Sequence, residues 1–401
     1  MKPAGKVAQG CLAAMIGALS SMSVSAEPAG SVLSSLLPDG TRTRVLDWAA
    51  VPGWSDDNHA EAFSVFLRTC PAGIPALRSG QPRPAALQRA CDLAFAGRDV
   101  LAADNGQARQ FFERHFRPAE IIPLSGAGFL TGYYEPELEA SRQKRDGFPE
   151  PVLRRPADLV TVPQGEPAPS PLDADLQAWR RGPGGPEPYP DRKAIWAGAL
   201  AGQGLEIAWL RDKPELFITQ VQGSARLRWV DGGVGRLRYA GRNGHPYTSI
   251  GRKLVERGIM ALETMTLAKL MGWLRENPAE ARALMEENRS YVFFQLDESL
   301  SPDEGPIGGA GIPLVAGRSL AVDRSIWPYG LPVFIEVSPL VPEGGRKRIA
   351  RLMIAQDTGS AIVGPARGDF FVGSGSAAGD RAGLFRDPMR FIILVPREMS
   401  P

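Results

Sequence analysis

The stretch from Leu352 to Gly383, L-M-I-A-Q-D-T-G-S-A-I-V-G-P-A-R-G-D-F-F-V-G-S-G-S-A-A-G-D-R-A-G, constrains this chain more than any other. Its apolar start, Leu352 to Ala355, reads as a short buried strand that delivers Asp357 directly into glycine-bearing chain. Ionised carboxylates are rarely buried unless paired. An Asp at the edge of a core strand therefore either caps the turn that follows, for which Asp before Thr-Gly is a common signal, or stands at a cleft with an altered pKa. Both readings are open on the residues alone.

At 401 residues, 43% hydrophobic and 22% charged, the chain allows two or three domains and a sizeable core. Its 46 basic and 44 acidic residues give a net charge of +2, too balanced for a nucleic-acid footprint, and no RNP, zinc-finger or P-loop pattern is present. Lys2 and Lys6 precede an apolar stretch from Cys11 to Val24, and Val24-Ser25-Ala26 supplies small residues, so residues 1–26 read as a signal peptide cleaved after Ala26. The apolar stretch is shorter than the roughly 20 residues that a spanning helix needs.

Removing the signal leaves Cys70 and Cys91 in a compartment where disulfides persist. Phe63, Phe66, Leu67 and Cys70 recur at helical spacing, and Leu87, Ala90, Cys91 and Ala94 repeat the pattern. Each cysteine thus lies on an apolar helix face, and two packed helices would bring the sulfurs together; two separately buried thiols are the alternative. Without ligand-spaced partners they do not suggest a zinc site.

Ala60 to Arg117 is mainly helical by pattern, with a third helix from about Gln107 stopped by Pro118. G-F-L-T-G-Y-Y-E-P, from Gly128, is rich in strand formers and is ended by Pro136. Residues 141–192 are so crowded with proline that much of the segment is excluded from a central sheet. Strands are expected at Leu205 to Leu210 and Leu216 to Val221, then a hairpin around Asp231-Gly232-Gly233. Leu267, Leu270, Met271 and Leu274 form one face of a helix, and Asn277-Pro278-Ala279-Glu280 reads as the cap of another. Short strands with Gly/Pro turns follow, to the apolar finish Phe391 to Val395.

The segments A-Q-D-T-G-S-A-I-V-G (355–364), R-G-D-F-F-V-G-S-G (367–375) and A-G-D-R-A-G (378–383) resemble the C-terminal signature of the lytic transglycosylase A family. Further matches are G-F-L-T-G-Y-Y-E-P (128–136), Q-V-Q-G-S-A-R-L (220–227), Y-A-G-R-N-G-H-P-Y (239–247) and G-R-S-L-A-V-D-R-S-I-W-P-Y-G-L-P-V (317–333). The resemblance implies a mainly β fold with helices: a double-psi β-barrel, an inserted second β-barrel-like domain, and N-terminal helices. Placed on this chain, the helical N-terminal part of the barrel domain is 40–133, the insert with its helical end 134–288, and the catalytic barrel 289–398. The substrate groove would lie between the two domains.

The family cleaves the β-1,4 bond between N-acetylmuramic acid and N-acetylglucosamine in peptidoglycan, using the muramic C6 hydroxyl as nucleophile to close a 1,6-anhydro ring. One carboxyl group then serves as acid and base, and the family's catalytic aspartate matches Asp357. Its pKa should be raised to act as an acid near neutral pH. Asp369 is its neighbour in sequence, either orienting the site or serving a turn. Thr131 and Tyr133, with Gln220, Gln222 and Ser224, offer substrate hydrogen bonds and an aromatic face, the alternative being strand packing. Glu135 and Asp323 read as second carboxylates or as exposed strand-end charges, and the alternating Arg226, Arg228, Arg236 and Arg238 as contacts to anionic substrate groups or a solvated sheet face. Gly373-Ser374-Gly375 lacks the Gly-Lys-Ser/Thr of a phosphate cradle, which leaves tight turns.

No metal or cofactor is called for, and the histidines His59, His115 and His245 match no hydrolase spacing. The expected partners are peptidoglycan glycan strands and, as in the family, cell-wall synthesis complexes; nucleic acid is not one, and the chain is expected to be a monomer. The expected location is the periplasm, with outer-membrane association open because relatives are often lipoproteins. Here Cys11 opens the apolar region instead of following it, so no lipobox is recognised. A hydrolytic muramidase and a noncatalytic glucan-binding protein on the same barrel are the rival readings.

Overall fold

The computed structural model describes residues 41–71, 83–124, 126–163, 166–299, 301, 303–341 and 344–397. The signal peptide, its cleavage site and Cys11 lie outside the described residues. After β1 (Thr41–Val45) come the helices His59–Arg68, Ala85–Ala96 and Asn105–His115, the first and last capped by the Asn58 and Asp104 side chains. Their apolar faces bury Phe63, Phe66, Phe111 and Phe112 in edge and tilted ring contacts, packed against Leu352, Ile354, Ile392 and Leu394. Cys70, two residues past the end of the first helix, forms a disulfide with Cys91 on the second, with Cα atoms 5.2 Å apart. Closing a loop of this size stabilises the fold by about 3 kcal/mol in the chain-entropy picture.

Next in the chain are β2 (Phe116–Pro123) and β3 (Gly128–Glu135), followed by β4 (Glu137–Ala140), β5 (Glu150–Leu153), β6 (Leu159–Thr161), β7 (Ala178–Gly182), β8 (Gly185–Pro188) and β9 (Glu206–Leu210). The proline-crowded segment builds only two small ladders, β6-β7-β8 and β5-β9. The expected hairpin is β10 (Ser224–Trp229) with β11 (Val234–Arg242), and with β12 (Val292–Asp297) and β4 it makes a four-stranded sheet. One expectation fails here. Leu216 to Val221 is part of a helix, Lys213–Gln222, because Asp212 caps the Glu215 amide, Pro214 suits the first turn and Gly223 ends it. Asn277 is the N-cap residue of the helix Pro278–Glu287, with Pro278 in its first turn as expected, but its side chain makes no capping bond; its amide turns back and donates to the Trp273 carbonyl at 2.9 Å.

The remaining strands are β13 (Ser319–Val322), β14 (Pro332–Val337), β15 (Ile349–Asp357), β16 (Arg367–Ser374) and β17 (Arg386–Pro396). The order is β1-β2-β17-β14-β15-β13-β16-β3, and β3 also pairs with β17. Six strands, β3 and β13 to β17, therefore close into a barrel, with β2 and β1 continuing from β17. β13 runs parallel to β15, and β16 parallel to β3. By strand pairing, β3 stays with the barrel through Glu135 and β12 belongs to the inserted sheet, so the changeovers fall at Pro136 and after Asp297.

The helices are tied to the strand that carries Asp357. Asp57, which immediately precedes the capping Asn58, accepts from the Leu352 amide at 2.6 Å and from two Arg318 nitrogens at 2.9 Å. Arg318 is 1% exposed, so this pairing is paid for by good geometry on both sides.

Candidate active site

Five residues from five strands stand in one row across the barrel sheet. Asp357 of β15 and Asp369 of β16 are both register partners of Ala321 on β13; Asp369 is in turn opposite Thr131, and Thr131 opposite Arg386. Directly opposed residues project on the same face, with strands about 4.8 Å apart. The two carboxylates are thus two strands apart, and the residue between them contributes only a methyl group.

A bulge sets this register. Leu320 pairs with Ala355 but Ala321 with Asp357, so Gln356 is the extra residue. It is fully buried, accepts from the Ser319 hydroxyl and donates to the Val65 carbonyl at 3.3 Å, while its own carbonyl accepts from the Ala310 amide at 2.9 Å. Absorbing one residue this way turns Asp357 toward the row.

The half-buried Asp357 carboxylate has three donors. Tyr133 donates its hydroxyl to Oδ2 at 2.8 Å, and the Gly309 and Thr358 amides donate to Oδ1 at 2.8 and 2.9 Å. Gly309 is required by space: a Cβ there would stand 2.3 Å from the Tyr329 phenol oxygen and 3.4 Å from Asp357 Oδ1. Burial raises the Asp357 pKa above the ordinary carboxylate value, and the three hydrogen bonds oppose that rise. Burial also pushes Asp369 up, to about 6, with the Thr131 hydroxyl and Arg367 holding it down and Asp357 adding to the rise. Thr131 donates to Asp369 at 2.7 Å and accepts from Arg367 at 2.7 Å. The Tyr133 phenol is driven well above its usual range by burial and then by Asp357, so it stays a donor.

Of the residues singled out in the sequence, Asp357, Asp369, Thr131 and Tyr133 are brought together. Gln222 sits alongside, accepting from the Tyr134 amide at 3.1 Å. Gln220 is turned inward: it accepts from buried Arg192 and donates to the Val292 carbonyl at 3.0 Å, so it is not presented to a groove. Ser224 is buried at the start of β10, opposite Arg238. Ala321, Gln356, Gly309, Tyr329 and Arg367 complete the site without having been singled out; the Gly308-Gly309 pair was the available signal for a backbone approach.

Glu135 is not an exposed strand-end charge. It is 0% exposed, with Arg236 Nε at 2.7 Å, Arg226 at 3.5 Å and the Ser374 hydroxyl donating at 2.8 Å. Burial raises its pKa against the pull of Arg236. Arg226 and Arg236, cross-strand partners on the hairpin, therefore face a buried acid, whereas Arg228 and Arg238 pair with Glu137 and Asp297. Asp323 is likewise buried and caps a turn, accepting from Ser325 and from the Gly364 amide at 2.7 Å. No group of three or more His, Cys, Asp or Glu side chains among the described residues is arranged to hold a metal ion.

The family model described as the MltA specific insert domain matches residues 129–295, and that of the 3D domain matches 318–395. A solved membrane-bound lytic murein transglycosylase from Agrobacterium tumefaciens is 40% identical, with a TM-score of 0.79 over 88% of this chain and 98% of that one. The chain belongs to the membrane-bound lytic murein transglycosylase A family. The curated transglycosylase A of Escherichia coli K12 is 34% identical over 270 residues, covering 66% of this chain; the chain spans 65% of that relative's length. The E. coli MltA structure solved with bound chitohexaose is 27% identical, with a TM-score of 0.66 over 88% of this chain and 94% of that one. In family terms, the 3D match covers β13 to β17 almost entirely, and the insert match begins on β3, within the barrel.

Proposed function

We propose that this protein is a murein lytic transglycosylase, cleaving the β-1,4 bond between N-acetylmuramic acid and N-acetylglucosamine and leaving 1,6-anhydromuramic ends. Family membership supports the reaction, and the observation that carries it here is Asp357: a desolvated carboxyl with raised pKa and three fixed donors at the end of a barrel strand. Two backbone amides occupy Oδ1, so the transferable proton belongs on Oδ2. Asp357 first gives that proton to the glycosidic oxygen. The carboxylate left behind is steadied by the Tyr133 hydroxyl and then takes the C6 hydroxyl proton as that oxygen closes on the anomeric carbon. The nucleophile is tethered to the reacting sugar, so no water need be positioned. Asp369, with its pKa near 6, orients the row and adds negative potential that favours the protonated acid.

A β-linked N-acetylglucosamine oligomer bound to the E. coli relative supports glycan strands as the ligand class. We divide the chain at Pro136 and after Asp297, a reading supported by the strand pairing: 41–135 and 298–397 as the barrel with its helices, 136–297 as the insert, and the glycan between them. Relatives named membrane-bound suggest envelope association; among the described residues no helix is long and apolar enough to cross a membrane.

The test is mass spectrometry of muropeptides released from purified sacculi by the protein and by its Asp357→Asn variant. Anhydro products lost in the variant are the expected result. Reducing ends would make it a hydrolase, and retention on sacculi without release would make it a binding module.

A further inference from the structure

The face of β3 that carries Thr131 and Tyr133 continues past the reacting row and presents an aromatic ring that the mechanism does not use. Phe129, Thr131 and Tyr133 alternate along β3 with Leu130, Gly132 and Tyr134, and Leu130 is fully buried in the barrel. The first three therefore share one face, the one on which Thr131 meets Asp369 and Tyr133 meets Asp357. Phe129 is 43% exposed, more than any other phenylalanine among the described residues. It stands two residues, about 7 Å, from Thr131 and four residues, about 13 Å, from Tyr133.

Register sets its flanks. Phe129 is opposite Arg367 on β16 and Pro388 on β17, so beside the row of Arg386, Thr131 and Asp369 runs a second one of Pro388, Phe129 and Arg367. Pro388 is exposed and uncharged. Arg367 is anchored: it donates to the Thr131 hydroxyl at 2.7 Å and to the Gly368 carbonyl, and its guanidinium carbon stands 5.4 Å from the centre of the Phe129 ring. The cation takes one face of the ring and leaves the remainder as its exposed area. Thr131 passes the connection on, donating to Asp369 at 2.7 Å, so the ring and the carboxylate row are held in fixed relation.

A lone exposed hydrophobic is ordinary on a protein surface. One backed by an anchored arginine, on the same face as the carboxylates and continuous with their row, is a built feature. A β-linked pyranose turns outward a face of axial C–H groups, and the negative face of an aromatic ring attracts such groups. We propose that Phe129, backed by Arg367 and flanked by Pro388, is a stacking platform for a distal sugar of the glycan, beyond the two joined by the bond that Asp357 cleaves. The ligand class rests on the reading of the protein as a murein lytic transglycosylase. A sugar seated there sets the register of the strand over the row without touching the acid, so Phe129 contributes to binding and not to the chemical step.

The test is equilibrium binding of chitohexaose to the Asp357→Asn protein and to the same protein carrying Phe129→Ala, Phe129→Leu or Phe129→Trp. The hexamer should bind about tenfold more weakly to the alanine variant, as expected for loss of one aromatic contact, and at least threefold more weakly to the leucine variant, while tryptophan keeps or improves the affinity. In protein with Asp357 intact, Phe129→Ala should raise KM for sacculi more than it lowers kcat. Unchanged hexamer affinity in the folded alanine or leucine variant overturns the platform, as does failure of the Asp357→Asn parent to bind the hexamer or a fall in kcat with KM unchanged. Leucine keeps the apolar area without the ring, so it decides even if the alanine variant fails to fold. The products of wild-type turnover on sacculi are read separately: reducing ends would sink the lytic reading and leave the platform standing, because the hexamer need not be cleaved to bind.

Discussion

Asp357 and Asp369 flank Ala321 in a single register row, each a direct partner of that one residue. The spacing between the two carboxylates is therefore a backbone property, and only the size of the intervening side chain is adjustable. Ala321→Leu should fill the gap, cutting anhydro release at least tenfold while costing about 1–3 kcal/mol of stability from overpacking. Wild-type release from a folded Ala321→Leu protein would show that the row is not where the glycan reacts.

Tyr133→Phe removes the hydroxyl donated to Asp357 Oδ2. That bond holds the Asp357 pKa down, so its loss raises the pKa further, and the group stays protonated to higher pH. The alkaline limb of the pH–rate profile should move upward while the maximal rate falls, since the carboxylate formed in the first step loses a donor. A limb that stays put or moves to lower pH would contradict the assignment of Asp357 as the acid.

Much of this was legible in the residues. The apolar run before Asp357 made the strand visible, and helical spacing put Cys91 on a buried helix face and Cys70 just past the end of its helix, where the disulfide joins them. Leu216 to Val221 was ambiguous because a short apolar run suits a strand or a buried helix; Asp212 and Pro214 upstream held the deciding signal. Gln220 shares a polar block with Gln222, but a helix turns them apart, so one enters the interior. The pairing of Glu135 with Arg236 joins residues 101 apart and had no local trace. Nor did the bulge at Gln356, which exists only because β13 fixes both sides of it.

Asp369 links stability to pH with a definite sign. Its folded pKa, about 6, lies above the ordinary value of 3.8, so the folded state holds a proton that the unfolded state releases between those values. Its stabilising contribution is fully present below the unfolded pKa and is lost as pH rises through 6. Asp369→Asn keeps an acceptor for the Thr131 hydroxyl without the charge. Its melting temperature should exceed that of wild type at pH 7, the difference shrinking toward pH 4, while turnover falls. A gain that grows toward pH 4 would reverse the sign and refute the raised pKa.

Glu135, the last residue of β3, joins that strand to the hairpin at the place where the chain leaves the barrel. Both Arg226 and Arg236 converge on it, and Ser374 on β16 anchors its other side. Removing one partner of a buried pair strands the other charge, which costs about 3–5 kcal/mol. Glu135→Ala should lose that much by urea denaturation, whereas Glu135→Gln, still able to accept from Ser374 and closer in shape, should lose less. If the junction also fixes the groove between barrel and insert, folded Glu135→Gln should raise KM for sacculi more than it lowers kcat, because Asp357 and its donors stay in place. An equal fall in kcat with KM unchanged would instead make Glu135 part of the chemistry.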